Sequence, residues 1–228
     1  MHVVDLEQQS VRDLNAALHR LTPDTNETLW QVTNSGGKHA IGAGVDAPID
    51  IVIKGNVGYY CAGMNKQASI TIHGNAGQGV AENMMSGRVH VMGDASQSAG
   101  ATGRGGLLIV EGDAAARCGI SMKGIDIIVK GSIGAMSAFM AQAGNLVVLG
   151  DAGEALGDSI YEATVFVRGK VKSLGADCIE KPMSADDKTR LSGILAGAGV
   201  ETVSPEDFRM YASARRLYNF HIDNLSSY

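Results

Sequence analysis

The chain has 228 residues, 45% of them hydrophobic and 19% charged, with a formal net charge of −5. That length supports one substantial core, and the acidic balance, with no cluster of Lys and Arg interleaved with aromatics, argues against a nucleic-acid groove. No apolar run approaches the roughly 18 residues of a transmembrane helix, no signal-peptide pattern opens the chain, and an odd count of three cysteines points to reduced thiols in the cytoplasm.

Residues 1–48 read as an N-terminal cap. Ser10-Val-Arg-Asp13 matches a capping box, and Val11, Leu14, Leu18 and Leu21 then fall at helical spacing. The glycine-rich block from Trp30 to Val45 reads as an irregular lead-in coil.

Residues 49–181 carry the dominant signal. Gly55, Gly74, Gly93, Gly112, Gly131, Gly150 and Gly169 stand 19 residues apart without a slip, and a fixed period near 20 residues marks a solenoid. Four residues before each glycine come Ile51, Ile70, Val89, Leu108, Ile127, Leu146 and Val165, and two before come Ile53, Ile72, Val91, Val110, Val129, Val148 and Val167. Two aliphatic, mostly β-branched columns at a spacing of two describe a short strand burying one face. Two residues after the glycine runs a third apolar column, from Val57 through Ala76 to Val171. Seven residues after it only Ala or Gly occurs, from Ala62 to Ala176, which places the backbone close to the axis there. A leucine-rich repeat would alternate strand with helix and carry an asparagine after its leucine strand, and neither occurs. The fold expected is all-β: a right-handed, single-stranded parallel β-helix of seven 19-residue coils with α-helical N- and C-terminal flanks. Seven coils at roughly 4.8 Å each give a rod about 34 Å long.

Residues 182–228 read as a C-terminal helical cap closing the exposed strand edges. Ser184-Ala-Asp-Asp187 and Ser204-Pro-Glu-Asp207 are both helix-start signals, the second with Pro205 at the first helical position. Phe208, Tyr211, Leu217 and Tyr218 give that last helix an apolar side.

Catalytic candidates are weak. The column after the glycine reads Asn56, Asn75, Asp94, Asp113, Ser132, Asp151 and Lys170, and these are turn residues whose side chains bond nearby backbone rather than a metal site. His73 and His90 fall in different columns with no carboxylate or cysteine at ligand spacing. The loops Gly74–Gly79 and Gly100–Gly105 do not open onto helices, so they are not phosphate loops. Cys61 and Cys118 share a column three coils apart, about 14 Å by strand spacing, which excludes a disulfide. A start of Met1-His2 does not offer an N-terminal nucleophile. No catalytic, cofactor-binding or metal-binding residue is expected in this chain.

What remains is surface. Three residues before the glycine, pointing outward, stand Val52, Thr71, His90, Ile109, Ile128, Val147 and Phe166. So apolar a stripe either lies beneath the chain's own terminal helices or marks a partner interface, and Tyr59, Tyr60, Phe139 and Met140, in the looser half of the coil, add to a second contact.

These strings resemble a known family. Gly74-Asn-Ala-Gly-Gln78 is similar to the Gly-Ser-Ala-Gly-Gln stretch of the GXGXG domain, the C-terminal β-helix of the glutamate synthase large subunit. Lys38-His-Ala-Ile-Gly42 is similar to its Asp-Arg-Ala-Val-Gly motif, with His39 where the family has Arg. Gly112–Gly124, Gly150–Tyr161 and Ser173–Cys178 resemble stand-alone versions of that domain, which occur as one subunit of N-methylglutamate synthase. The resemblance implies a scaffold in a complex that turns methylamine and glutamate into N-methylglutamate and ammonia. It implies partners too: an amidotransferase-like subunit, and a glutamate-synthase-like subunit carrying FMN and an iron–sulfur cluster. The β-helical subunits of glutamate synthase and of formylmethanofuran dehydrogenase, and a self-assembling β-helical filament protein, are the alternatives.

Overall fold

The computed structural model describes residues 1–216. Nine strands run parallel, in chain order, along one side of a solenoid: β1 (His2–Asp5), β2 (Leu29–Thr33), β3 (Asp50–Lys54), β4 (Ser69–His73), β5 (Arg88–Val91), β6 (Leu107–Val110), β7 (Lys123–Val129), β8 (Ala143–Val148) and β9 (Thr164–Val167). From β3 to β9 the register advances by one coil per strand, Ile51 against Ile70 and Ile53 against Ile72, then onward to Val148 against Val167. The two aliphatic columns therefore point into the core, where all of them are buried, at a gain of about 1.5–3 kcal/mol per side chain. Across the core a second ladder of single bridges links Val57, Ala76, Ala95, Ala114, Ile133, Ala152 and Val171.

The corner glycines have a specific cause. Each polar residue after a glycine accepts the backbone N–H of its counterpart in the following coil: Asn56 from Asn75, Asn75 from Asp94, Asp94 from Asp113, Asp113 from Ser132, Ser132 from Asp151, Asp151 from Lys170, at 2.7–3.0 Å. These are turn residues, as expected, but the backbone they bond belongs to the neighbouring coil. A Cβ at Gly74 would stand 2.7 Å from Asn56 Oδ1, and one at Gly93, Gly112, Gly131 or Gly169 would collide with the ladder side chain before it. Close approach, rather than an unusual φ, fixes glycine there. The loose half of each coil behaves differently. Tyr60, Ala62 and Met64 take positive φ near 57°, and the Ala/Gly column from Ala62 to Gly157 lies in a buried left-handed turn, which the last coil, at Ala176, does not keep.

At the ends one expectation holds and two do not. First, the lead-in is not wholly irregular. β2 pairs with β3 through Trp30 against Ile51 and Val32 against Ile53, an offset of 21 residues (51 − 30), and β1 extends the sheet by one strand more. Second, α1 (Val11–Leu18) forms as the capping box predicts, Ser10 accepting from Asp13 N–H, and buries Leu14 and Leu18. Its Asn15 side chain donates to Ala40 O at 2.8 Å and accepts from Gly42 N–H at 3.0 Å. One amide side chain thus imitates the peptide group of a preceding coil.

Third, the C-terminal cap is only half helical. α2 (Ala185–Gly197) carries its full capping box. The start signal at Ser204 yields only a 3₁₀ turn, Pro205–Asp207, and then β11 (Arg209–Ser213). β11 inserts antiparallel between β9 and β10 (Cys178–Lys181). The open edge of β9 is the reason, because its unpaired N–H and C=O groups outweigh a local helix signal. Alternation along β11 sends Tyr211 into the rod core and Met210, with Phe208, toward α2. Leu217 and Tyr218, placed above on a final helix, lie outside the described residues.

Candidate functional site

The outward stripe divides at its middle. Ile109, Ile128, Val147 and Phe166 are fully buried under Leu191, Ile194 and Leu195 of α2 and its C-cap Ala198, together with Phe208 and Met210. For these four, the chain's own helix is the cover, and as interface residues they are corrected: they are unavailable to a partner. At 13 residues α2 is about 20 Å long, the width of four strands. It runs back from β9, where Arg190 reaches Thr164 and stacks over Phe166, to β5, where Arg88 donates to Gly197 O at 2.7 Å. That cation also meets the negative end of the helix. Beyond it Val52, Thr71 and His90 are only half-buried, and Val3 on β1 is 55% exposed.

A polar cluster marks the boundary. His90 Nε2 and Lys130 Nζ both contact Glu111 Oε1, at 2.6 and 2.8 Å. Desolvation would raise the Glu111 carboxyl, but hydrogen bonds from Lys130 and His90 outweigh it and hold it below its ordinary value.

On the loose turns the predicted aromatics come forward. Tyr59 and Tyr60 are about half exposed and lie edge to face, and Met64 and Met85 are exposed as well. His39 stacks on Tyr59 at 4.6 Å, and its Nδ1 accepts the Tyr59 N–H at 2.8 Å. Phe139 and Met140, on later coils, are half-buried. The rod thus presents an aromatic patch of His39, Tyr59 and Tyr60 on its early coils, with exposed methionines on the same stretch of chain, residue types that recur at interfaces.

The buried thiols are unreactive. Burial pushes the thiols of Cys61, Cys118 and Cys178 up to about 12, which leaves them protonated and inert at neutral pH. Among the described residues no three His, Cys, Asp or Glu side chains are grouped so as to hold a metal, and no helix is long and apolar enough to cross a membrane.

One feature escaped the sequence reading: an open cleft of about 810 Å³ at the N-terminal corner, lined by Lys38, Lys54, Asn34, Ser35, Gly36 and Asn56 among others. Its signal was present. Gly36 keeps the 19-residue spacing to Gly55, yet the inward apolar pair Trp30 and Val32 comes two residues too early for that register. Two extra residues at a corner widen it.

No family model and no solved structure matches the chain. Among curated proteins, Protein GlxC of Rhizobium meliloti (strain 1021) is 59% identical over 228 residues, covering 100% of both chains. The chain belongs to the GlxC family. Because the GlxC match runs end to end, both caps, the turn ladder and the corner cleft all lie within the shared stretch.

Proposed function

We propose that this chain is a non-catalytic structural subunit of a glutamate-synthase-like complex, most like N-methylglutamate synthase. In that role it bridges an amidotransferase-like subunit and a subunit that carries FMN and an iron–sulfur cluster. The complex converts methylamine and glutamate into N-methylglutamate and ammonia.

The observation that carries this reading is a rod whose axis is packed solid with aliphatic side chains and unreactive thiols, and whose aromatic patch at Tyr59 and Tyr60 faces outward. Such a body contributes to a reaction by fixing the distance between sites on other chains, where errors of an ångström are costly. Its likeness to stand-alone GXGXG domains, in Gly74–Gln78 and Gly150–Tyr161, supports the choice of those chains.

Purification of the chain at native level tests it. Co-purification in fixed ratio with an amidotransferase-like and a flavin-containing chain, in a fraction that forms N-methylglutamate from methylamine, is the expected result. A chain that purifies alone, or turns over both substrates by itself, overturns the reading.

A further inference from the structure

The turn ladder has a direction. Every rung's N–H is accepted by the side chain one coil nearer the N-terminus, from Lys170 back to Asn75. At the first rung the series stops. By the 21-residue offset of β2 to β3 the residue before Asn56 is Ser35, and its hydroxyl donates to Lys54 O and Asn56 O, at 3.1 and 2.7 Å, instead of accepting the Asn56 N–H. The ladder therefore opens with a backbone donor that the preceding coil does not satisfy, and Asn56 lines the corner cleft. The corner around it carries positive φ at Asn34, Gly36 and Gly37, a backbone that turns N–H groups toward one side. The Gly37 and Lys38 N–H groups are taken by Asn56 O and Ser35 O, which leaves those of Asn56 and Gly36 for a ligand.

Two lysines complete the lining. Lys38 is half-buried and Lys54 exposed, and among the described residues neither is held in an ion pair. An ammonium at the wall of a cleft with no bonded counter-ion favours an anion taken from solution. Two carboxylates lie nearby. Asp5 feels the charge of Lys38, but its Oδ1 is already engaged by Asn34 Nδ2 and the Glu7 N–H, at 2.8 and 2.9 Å. The Glu7 side chain, on the exposed rim, is the group a ligand must outcompete.

We propose that this cleft binds a small oxyanion, a phosphate or a carboxylate group, held by Lys38, Lys54 and the opening N–H of the ladder. Binding here needs no partner subunit, so it stands or falls independently of the complex proposed above. The test is a titration of the ¹⁵N-labelled full chain at low ionic strength with inorganic phosphate and, separately, with glutarate. A saturable site in the millimolar range is expected, with the Asn56 and Gly36 amides moving downfield. Lys38→Gln weakens it about tenfold or more, the scale of one charge-assisted hydrogen bond. Lys38→Arg retains it, Lys54→Gln weakens it less, and Lys170→Gln, at the far end of the ladder, leaves it unchanged. Saturation by phosphate alone or by glutarate alone names the source. Should Lys38→Gln fail to fold, Lys54→Gln decides. No saturable shift with either anion, or a site that survives Lys54→Gln and Lys170→Gln equally, overturns the proposal.

Discussion

The outer face of the sheet is one column of residues with two fates, and the difference between its halves is instructive. In the C-terminal half, Ile109, Ile128, Val147 and Phe166 lie beneath α2, and β11 seals the last strand edge. In the N-terminal half, Val52, Thr71 and His90 face outward with no helix over them among the described residues, and the tip is closed by α1. The strands beneath are built alike, with the same inward aliphatics and the same turn ladder. Repetition alone makes a rod, and whatever breaks the repetition decides which parts stay accessible. The half left bare is also the half that carries the tyrosine patch and the corner cleft.

The sharpest way to break this contrast is Phe166→Ala. If α2 covers Phe166 as described, equilibrium denaturation should show a loss of about 3–5 kcal/mol, as for a fully buried aromatic. A loss below about 0.5 kcal/mol would mean that the C-terminal half is as open as the other. Next comes Asn15→Ala, which leaves Ala40 O and Gly42 N–H without their partner. A loss of about 1–3 kcal/mol is expected, together with faster amide exchange confined to residues 40–44.

At the boundary between the halves, Glu111→Gln should cost less than about 1 kcal/mol near neutral pH. Its sign with pH is fixed by the lowered carboxyl. The wild-type advantage is fully present above the unfolded carboxylate value of about 4.3 and disappears as pH falls through the lower folded value. Denaturation curves of the two proteins should therefore converge in acid. A gap that widened on acidification would contradict the Lys130 and His90 contacts. The smallest effect belongs to Thr71→Ala on the bare half, within about 0.5 kcal/mol of wild type. A larger loss would reveal a cover over that half too.

Most of the rod was legible in the sequence because each coil meets the same environment, so one column of seven residues reports one position seven times. The inward strand columns and the turn residues could be read that way. The ends could not, since each occurs once. β1 and β2 escaped because the two extra residues at the first corner move Trp30 and Val32 out of the glycine register. β11 escaped because Ser204-Pro-Glu-Asp207 is a sound local helix start, overruled by an unpaired strand edge more than 35 residues earlier in the chain. Of the candidate surface, Tyr59 and Tyr60 were found as exposed residues, while Lys38 and Lys54 were passed over because lone lysines in a loop carry no pattern.

By itself, then, the sequence determined the coil: its 19-residue period, its inward and outward faces, and the glycine that each corner needs. Those features rest on contacts between residues one period apart, which recur and can be counted. Only the tertiary structure decided which stretch of the outer face α2 covers, how a reversed strand ends the sheet, and where two lysines and an unclaimed N–H meet. Those outcomes depend on single long-range contacts, and a contact made once leaves no repeat from which it could be read.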